Sequence, residues 1–267
     1  MYEPIAEHYE QIFPVSRAQV DFIAARTERS GGARLLDVGC AVGDLAAALH
    51  RRGFEVTGID LNHRMIERAR SRHLFDTKNR DLEFAAMDMR RLTEHFQADS
   101  FNTVCCLGNT LVHLRGAAEI ESFLADTARL LDHRPREGKR GTLILQILNY
   151  EHLLKTRPKT LPPIETDTLL FERSYSYPSK EHPGGSGDAA GSANSGGGNI
   201  LFSTKLTLKK DGRSYEDSIP LYPLLRGELQ EMLQRQGFAP PLLFGSFDDS
   251  PLEPDSFPLI AVAELGD

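Results

Sequence analysis

The sequence predicts an α/β fold: a doubly wound, mostly parallel seven-stranded sheet, with a small antiparallel β insertion after strand five. Three observations carry this. Short apolar runs alternate with amphipathic segments through residues 1–150, the rhythm of right-handed strand–helix–strand crossovers. The first run, Leu35-Leu36-Asp37-Val38, enters a glycine turn, Gly39-Cys40-Ala41-Val42-Gly43, and leaves it into a helix pattern. After Tyr150 the rhythm changes to aromatic-rich strands, with Lys210-Asp211-Gly212-Arg213 as a hairpin signal.

Residues 2–27 read as two short helices, interrupted by Pro14 and restarted at the cap Ser16. Strand one is 34–38. The helix over 44–50 carries Leu45, Ala48 and Leu49 at helical spacing, and Gly53 stops it. Strand two is 54–59. Asn62 caps the next helix, with Met65, Ile66 and Ala69 inward. Strand three is 82–86 and strand four 101–107. A helix over 117–131 turns Ile120, Phe123, Leu124 and Leu131 to one side, and strand five is 142–148. Residues 168–177, 202–208 and 215–221 read as the strands of the insertion. Residues 226–236 form an amphipathic helix ended by Gly237, and 242–247 and 259–263 are tail strands that finish the main sheet. The chain thus divides into a core over 1–150, an insertion over 151–224 and a return to the core sheet over 225–267.

Residues 178–199 are dominated by Gly, Ser, Ala and Asn. They hold too little apolar surface to offset their ordering entropy, so a mobile loop is expected. A passive connector is the simpler reading; a lid over a substrate is the sharper one.

Asp60 is the most informative residue. It closes strand two about 20 residues after the glycine turn, where a carboxylate is placed to accept both hydroxyls of a ribose. Two nucleoside cofactors fit. NAD needs its pyrophosphate against a helix N-terminus, usually through G-x-G-x-x-G. Here Ala41 stands at the middle glycine, and Asp37 and Asp44 bracket the turn. Two carboxylates repel a pyrophosphate but suit a sulfonium and an ammonium. The turn therefore favours S-adenosylmethionine. A purely structural turn would account for Gly39 and Gly43, but not for Asp60 at this distance.

Leu35 to Gly43 resembles motif I of the class I S-adenosylmethionine-dependent methyltransferases, and Val56-Thr57-Gly58-Ile59-Asp60 resembles motif II. Phe84-Ala85-Ala86-Met87-Asp88-Met89 is similar to the family's acidic signature after strand three. The run from Asn102 through Leu107-Gly108-Asn109-Thr110-Leu111-Val112-His113-Leu114 resembles strand four of the glycine N-methyltransferase-like branch. Ile147-Leu148-Asn149-Tyr150-Glu151 resembles the segment after strand five there. The resemblance implies a Rossmann-like methyltransferase fold, S-adenosylmethionine as cofactor, and an antiparallel pair of last strands at the sheet edge.

It also implies roles. Gly39, Cys40 and Gly43 would bring the backbone to the methionine end of the cofactor, and Asp37 would support the turn or reach the ammonium through water. Leu61 would pack on the adenine, with Met87, Asp88 and Met89 beside it and Asp88 accepting from its amine. Met65 belongs to this set, although a core role suits Leu61, Met65 and Met87 nearly as well. Leu107 and Gly108 would turn carbonyl groups toward the ammonium or methyl. Asn109 would orient the substrate. His113 would act as a base or, by the blander reading, pack near the cofactor. Tyr9 would close over the cofactor, with Tyr2 or a surface role as alternatives.

One departure stands out. The branch carries an arginine for the substrate carboxylate where this chain has Leu148, so glycine is not the expected substrate. Arg157, Arg173 and Arg226 are other candidate anchors.

The chain has 267 residues, enough for one large core, and a net charge of −7, which does not suggest a grip on nucleic acid. A small-molecule acceptor is the simpler expectation. Cys40, Cys105 and Cys106 lack C-x-x-C spacing, and adjacent Cys105 and Cys106 point to opposite faces of a strand. They read as buried structural thiols of a reduced compartment. No signal peptide, membrane span or metal-ligand spacing is evident, so a cytoplasmic protein is expected. Three functions follow in order: methyl transfer from S-adenosylmethionine to a small molecule, at nitrogen before oxygen; an NAD-dependent oxidoreductase; and a non-catalytic sensor of the cofactor. The oligomeric state is not readable.

Overall fold

The strands of the main sheet are the continuous apolar runs of the chain, as burial on both faces requires. In the computed structural model, which describes residues 5–73, 81–133, 140–178 and 198–266, β1 (Arg34–Val38), β2 (Glu55–Asp60), β3 (Leu82–Ala86), β4 (Thr103–Cys106) and β5 (Thr142–Leu148) are parallel neighbours in the order β3-β2-β1-β4-β5. The insertion adds β6 (Thr160–Glu165), β7 (Leu169–Ser176), β8 (Ile200–Leu208) and β9 (Ser214–Leu221) as a separate antiparallel sheet in that order. The chain then returns: β11 (Pro258–Glu264) runs antiparallel beside β5, and β10 (Leu242–Phe244) beside β11. The sheet is therefore seven-stranded with an antiparallel edge pair, as expected.

Alternation along each central strand feeds two core layers. Leu35 and Cys105 face one layer, with α2 (Arg17–Arg29), α3 (Asp44–His50) and α4 (His63–Arg72). Leu36 and Cys106 face the other, with α5 (Leu92–His95), α6 (Ala117–Leu130) and α8 (Arg226–Arg235). The caps act as read from the sequence. Ser16 accepts from the Gln19 N–H, and Asn62 accepts from those of Arg64 and Met65. Because the strand order reverses between β1 and β4, a crevice opens at their C-terminal ends, the ligand position of open α/β sheets. Both the glycine turn and the loop after β4 lie there.

Several elements differ from expectation. The insertion has four strands rather than three. β6 was hidden by Pro162 and Pro163, which only an edge strand tolerates, and its register to β7 shifts between Leu161 and Ile164. A short helix, α7 (Tyr150–Thr156), follows β5; Asn149 caps it and Arg157 ends it in the left-handed region. Before α2, the N-terminal segment forms a 3-10 turn (Ala6–His8) and α1 (Tyr9–Ile12). β4 is shorter than 101–107, because Phe101 bridges to Leu131 and Leu107 turns away into a loop. The glycine-rich loop expected at 178–199 lies, over 179–197, outside the described residues. Among the described residues no helix is long and apolar enough to cross a membrane.

Candidate active site

The glycine turn is held from behind. The N–H groups of Gly39 and Cys40 both donate to the Ile59 carbonyl, at 2.8 and 2.9 Å. Gly39 and Gly43 have φ of +76° and +78°. A Cβ on Gly39 would come within 2.6 Å of Thr110, and one on Gly43 within 2.5 Å of Phe84. Glycine is required at both places by conformation and by space. Ala41 shares the left-handed region at φ 49° without being glycine, a strained position inside the turn.

Asp60 sits where the sequence placed it. Its Oδ2 accepts from the Ala41 N–H at 3.0 Å and its Oδ1 from the Asn62 N–H at 2.8 Å. The carboxylate thus ties the glycine turn to the start of α4. Burial raises its pKa, and those two backbone bonds pull the other way. Next to it Leu61 is 68% exposed, a large apolar side chain left open at the cleft. Asp37 is buried; its Oδ1 accepts from the Cys105 thiol at 3.6 Å, and its Oδ2 has no hydrogen-bond partner. Burial first, then the charge of Asp60, push it up to about 7, against the Cys105 hydrogen bond.

Asp44 does not act as expected. It pairs with Arg72 at 3.0 Å and His73 at 3.2 Å. Burial would raise its carboxyl, but the hydrogen bonds from His73 and Arg72 outweigh it and hold it low. Asp37 and Asp60, unlike Asp44, have no basic side chain pulling on their carboxyls.

Other expected residues are corrected in the same way. Met65 is buried under the turn with Ala6, Ala41 and Val42, a core side chain rather than a ligand contact. Cys40 is buried, its thiol pushed well up by burial, so only its backbone serves the turn. Met87 and Met89 are half-buried against the main core, and the Met87 N–H donates to the Asp60 carbonyl. Asp88 is claimed by Arg90, whose Nε reaches both carboxylate oxygens at 3.0 Å and holds its pKa low. An adenine amine would have to share it.

The Leu107 carbonyl is likewise engaged, accepting from the N–H and the hydroxyl of Thr110 at 3.2 and 2.6 Å. Gly108 is exposed, and its N–H donates to Gln146 Oε1 at 2.7 Å. Asn109 does not point a free amide at a substrate. Its Oδ1 accepts from the Leu148 N–H at 2.9 Å, and its Nδ2 donates to the Tyr150 hydroxyl at 3.1 Å. It sits at φ 66° and locks the loop after β4 onto β5 and α7. His113 ends the 3-10 turn (Thr110–His113); burial lowers its pKa to about 4, so the ring is neutral near pH 7. Tyr9 packs between the insertion and the glycine turn, touching the clusters of both.

Three residues hold positions for which the sequence assigned no role. Thr110 fills the space against Gly39, Gln146 holds Gly108, and Tyr150 holds Asn109. Gln146 alone carried a signal, as a polar residue inside the apolar run of β5.

A doubly wound sheet with a glycine turn after β1 and a carboxylate at the tip of the neighbouring β2 has the layout of a nucleoside-cofactor domain. The residues fit S-adenosylmethionine: the turn comes close only through glycine, the exposed Leu61 offers a face to the adenine, and Asp37 presents a buried oxygen without a partner. Residues 35–134 match the model of a methyltransferase domain. The chain is 29% identical over 142 residues to a glycine/sarcosine N-methyltransferase of Aphanothece halophytica, covering 52% of this chain and 49% of that one. It is 37% identical over 89 residues to a ubiquinone biosynthesis O-methyltransferase of Paracidovorax citrulli, covering 33% and 36%. The chain spans about half the length, or less, of these curated relatives. A solved S-adenosylmethionine-dependent methyltransferase of Clostridium acetobutylicum has the same fold, with a TM-score of 0.75 at 14% identity over 100% of this chain and 99% of that one. Residues 35–134 are thus similar to a methyltransferase domain, on a fold shared with a solved S-adenosylmethionine-dependent methyltransferase.

Proposed function

We propose that the protein transfers the methyl group of S-adenosylmethionine to a nitrogen of a small molecule. The observation that carries the reading is Asp60 at the tip of β2, anchored to the glycine turn and flanked by the exposed Leu61. When bound, the cofactor supplies an activated methyl on a sulfonium. The chain then has to bind and align. Asp60 would hold the ribose hydroxyls and Leu61 would cover the adenine. Gly39 and Gly43 would admit the methionine end, with Asp37 offsetting its positive charge. Thr110, Asn109, Gln146 and Tyr150 fix the loop that faces the acceptor.

Nitrogen is preferred to oxygen for a physical reason. A neutral amine attacks with its own lone pair, whereas a hydroxyl needs a base. A histidine with a pKa of about 4 is a poor base near neutral pH. The glycine/sarcosine relative supports nitrogen; the ubiquinone relative supports oxygen as the second reading. An acidic chain with a net charge of −7 suits a small acceptor better than a nucleic acid. S-adenosylhomocysteine at about 100 times its dissociation constant should stabilise the fold by about 2.7 kcal/mol. Protection by NADH alone would overturn the cofactor assignment. Methyl transfer to phenols but to no amine in a mixed panel would overturn the choice of nitrogen.

A further inference from the structure

The insertion sheet presents one face inward. Alternation along β7 puts Leu169, Phe171, Arg173 and Tyr175 on it, and all but Arg173 are buried. The register extends these positions into rows across the sheet. Phe171 lies beside Leu206 and then Tyr215, and Tyr175 beside Phe202 and then Ile219. The row between them is polar: Arg173, then Thr204, then Asp217, with Leu161 on the β6 side.

The two apolar rows pack on different things. The Phe171 row packs with Ile12, Phe13 and Tyr9, and Tyr9 also touches Ala41 and Met65 at the glycine turn. The Tyr175 row packs in the cluster of Val112 and Tyr150, beside the loop after β4. The polar row therefore spans the gap between the cofactor turn and the acceptor loop, on the roof of the cleft.

Among the described residues Arg173 has no carboxylate partner. Its Nη2 donates to the Pro162 carbonyl at 2.8 Å, toward β6 and away from Asp217. Its Nε is buried with no hydrogen-bond partner. Burial makes the guanidinium easier to deprotonate than usual, the mark of a cation paid for in desolvation. A half-buried guanidinium with no acid of the fold beside it keeps its fork available to a carboxylate from outside. The other candidate anchors are already used. Arg226 pairs with Glu151 at 3.5 Å, and Arg157 donates to the Pro178 carbonyl and stacks over Tyr177 at 4.9 Å.

We propose that Arg173 anchors a carboxylate of the methyl acceptor, so that the substrates are small amines bearing an acid group. The guanidinium takes over from the roof what Leu148 cannot offer from the strand-five side. The proposal rests on the methyl-transfer reading for the word acceptor, but not for the anion site itself.

Matched ligands test it: glycine with glycinamide, and benzoate with benzamide, titrated calorimetrically into the protein with and without saturating S-adenosylhomocysteine. At least one acid should bind wild type tenfold or more tightly than its amide. R173Q should lose that preference while its affinity for S-adenosylhomocysteine stays within twofold. R173K, which keeps the charge without the fork, should retain part of the preference and stands in should R173Q fail to fold. Acids that bind wild type no better than amides, or a preference unchanged in R173Q and R173K, overturn the proposal. Wild type that discriminates through Arg173 yet ignores S-adenosylhomocysteine leaves the anchor standing and removes the methyl-transfer reading instead.

Discussion

Asp37 is set by burial, by the Cys105 thiol and by Asp60, and no basic side chain is among the causes of its shift. Two consequences follow from a carboxyl raised to about 7. In the ligand-free protein, the stability tied to its protonated form is full below the ordinary value of 3.8 and is lost as pH rises through about 7. Stability should therefore fall from about pH 4 to about pH 7 and level off above, and D37N should flatten that slope in thermal melts. Affinity for S-adenosylhomocysteine should move the other way. The ionised carboxylate favours the ligand's ammonium, so binding should strengthen by up to about tenfold per pH unit below 7 and level off above. Calorimetry at several pH values checks this; an equal pH slope in D37N would refute the role of Asp37. D60A removes the acceptor of two backbone N–H groups and the proposed acceptor of the ribose hydroxyls. It should weaken cofactor binding by about ten- to a hundredfold, at about 1.5–3 kcal/mol for hydrogen bonds to a charged group, and lower the melting temperature as well.

The glycine turn makes opposite demands of neighbouring residues. G39A places a side chain at φ +76° and within 2.6 Å of Thr110. It should cost about 2 kcal/mol or more and reduce cofactor affinity. A41G relieves a left-handed alanine but loses a buried methyl and adds unfolded-state entropy. It should fall within about 1 kcal/mol of wild type. Denaturant melts of the two variants side by side test the contrast; equal losses would show that conformation does not govern the turn. The regular elements were legible because their signals are local: caps at Ser16 and Asn62, apolar runs at β1 and β5, and the hairpin between β8 and β9. β6 was not, because a strand with two prolines survives only where one edge needs no partner, and that is decided by the rest of the sheet. α7 was too short for a periodic pattern to show.

Across the whole molecule, the N-terminal segment joins the roof to the cofactor turn. Glu10 Oε1 accepts from Arg68 at 2.7 Å and Arg72 at 3.1 Å on α4, while Tyr9 and Phe13 pack against the insertion sheet. E10Q should loosen this tie. The pair is half-buried, so the stability loss should be about 1 kcal/mol. Amide exchange over residues 5–13 should rise, and S-adenosylhomocysteine should dissociate faster. Unchanged exchange there would mean that apolar packing alone holds the segment.

The sequence by itself determined the βαβ order, the glycine turn and Asp60, because each is a contiguous pattern whose geometry follows from a few neighbouring residues. Only the tertiary structure decided which polar side chains the fold itself engages. Asp44 is paired with Arg72 and lies against His73, both contributed by the α4 segment, Asp88 is held by Arg90, and Asn109 is engaged by Leu148 and Tyr150. A side chain's charge and freedom depend on what is folded against it, and strand register, which set Arg173 in a polar row across an apolar roof, is a property of paired strands rather than of any one of them.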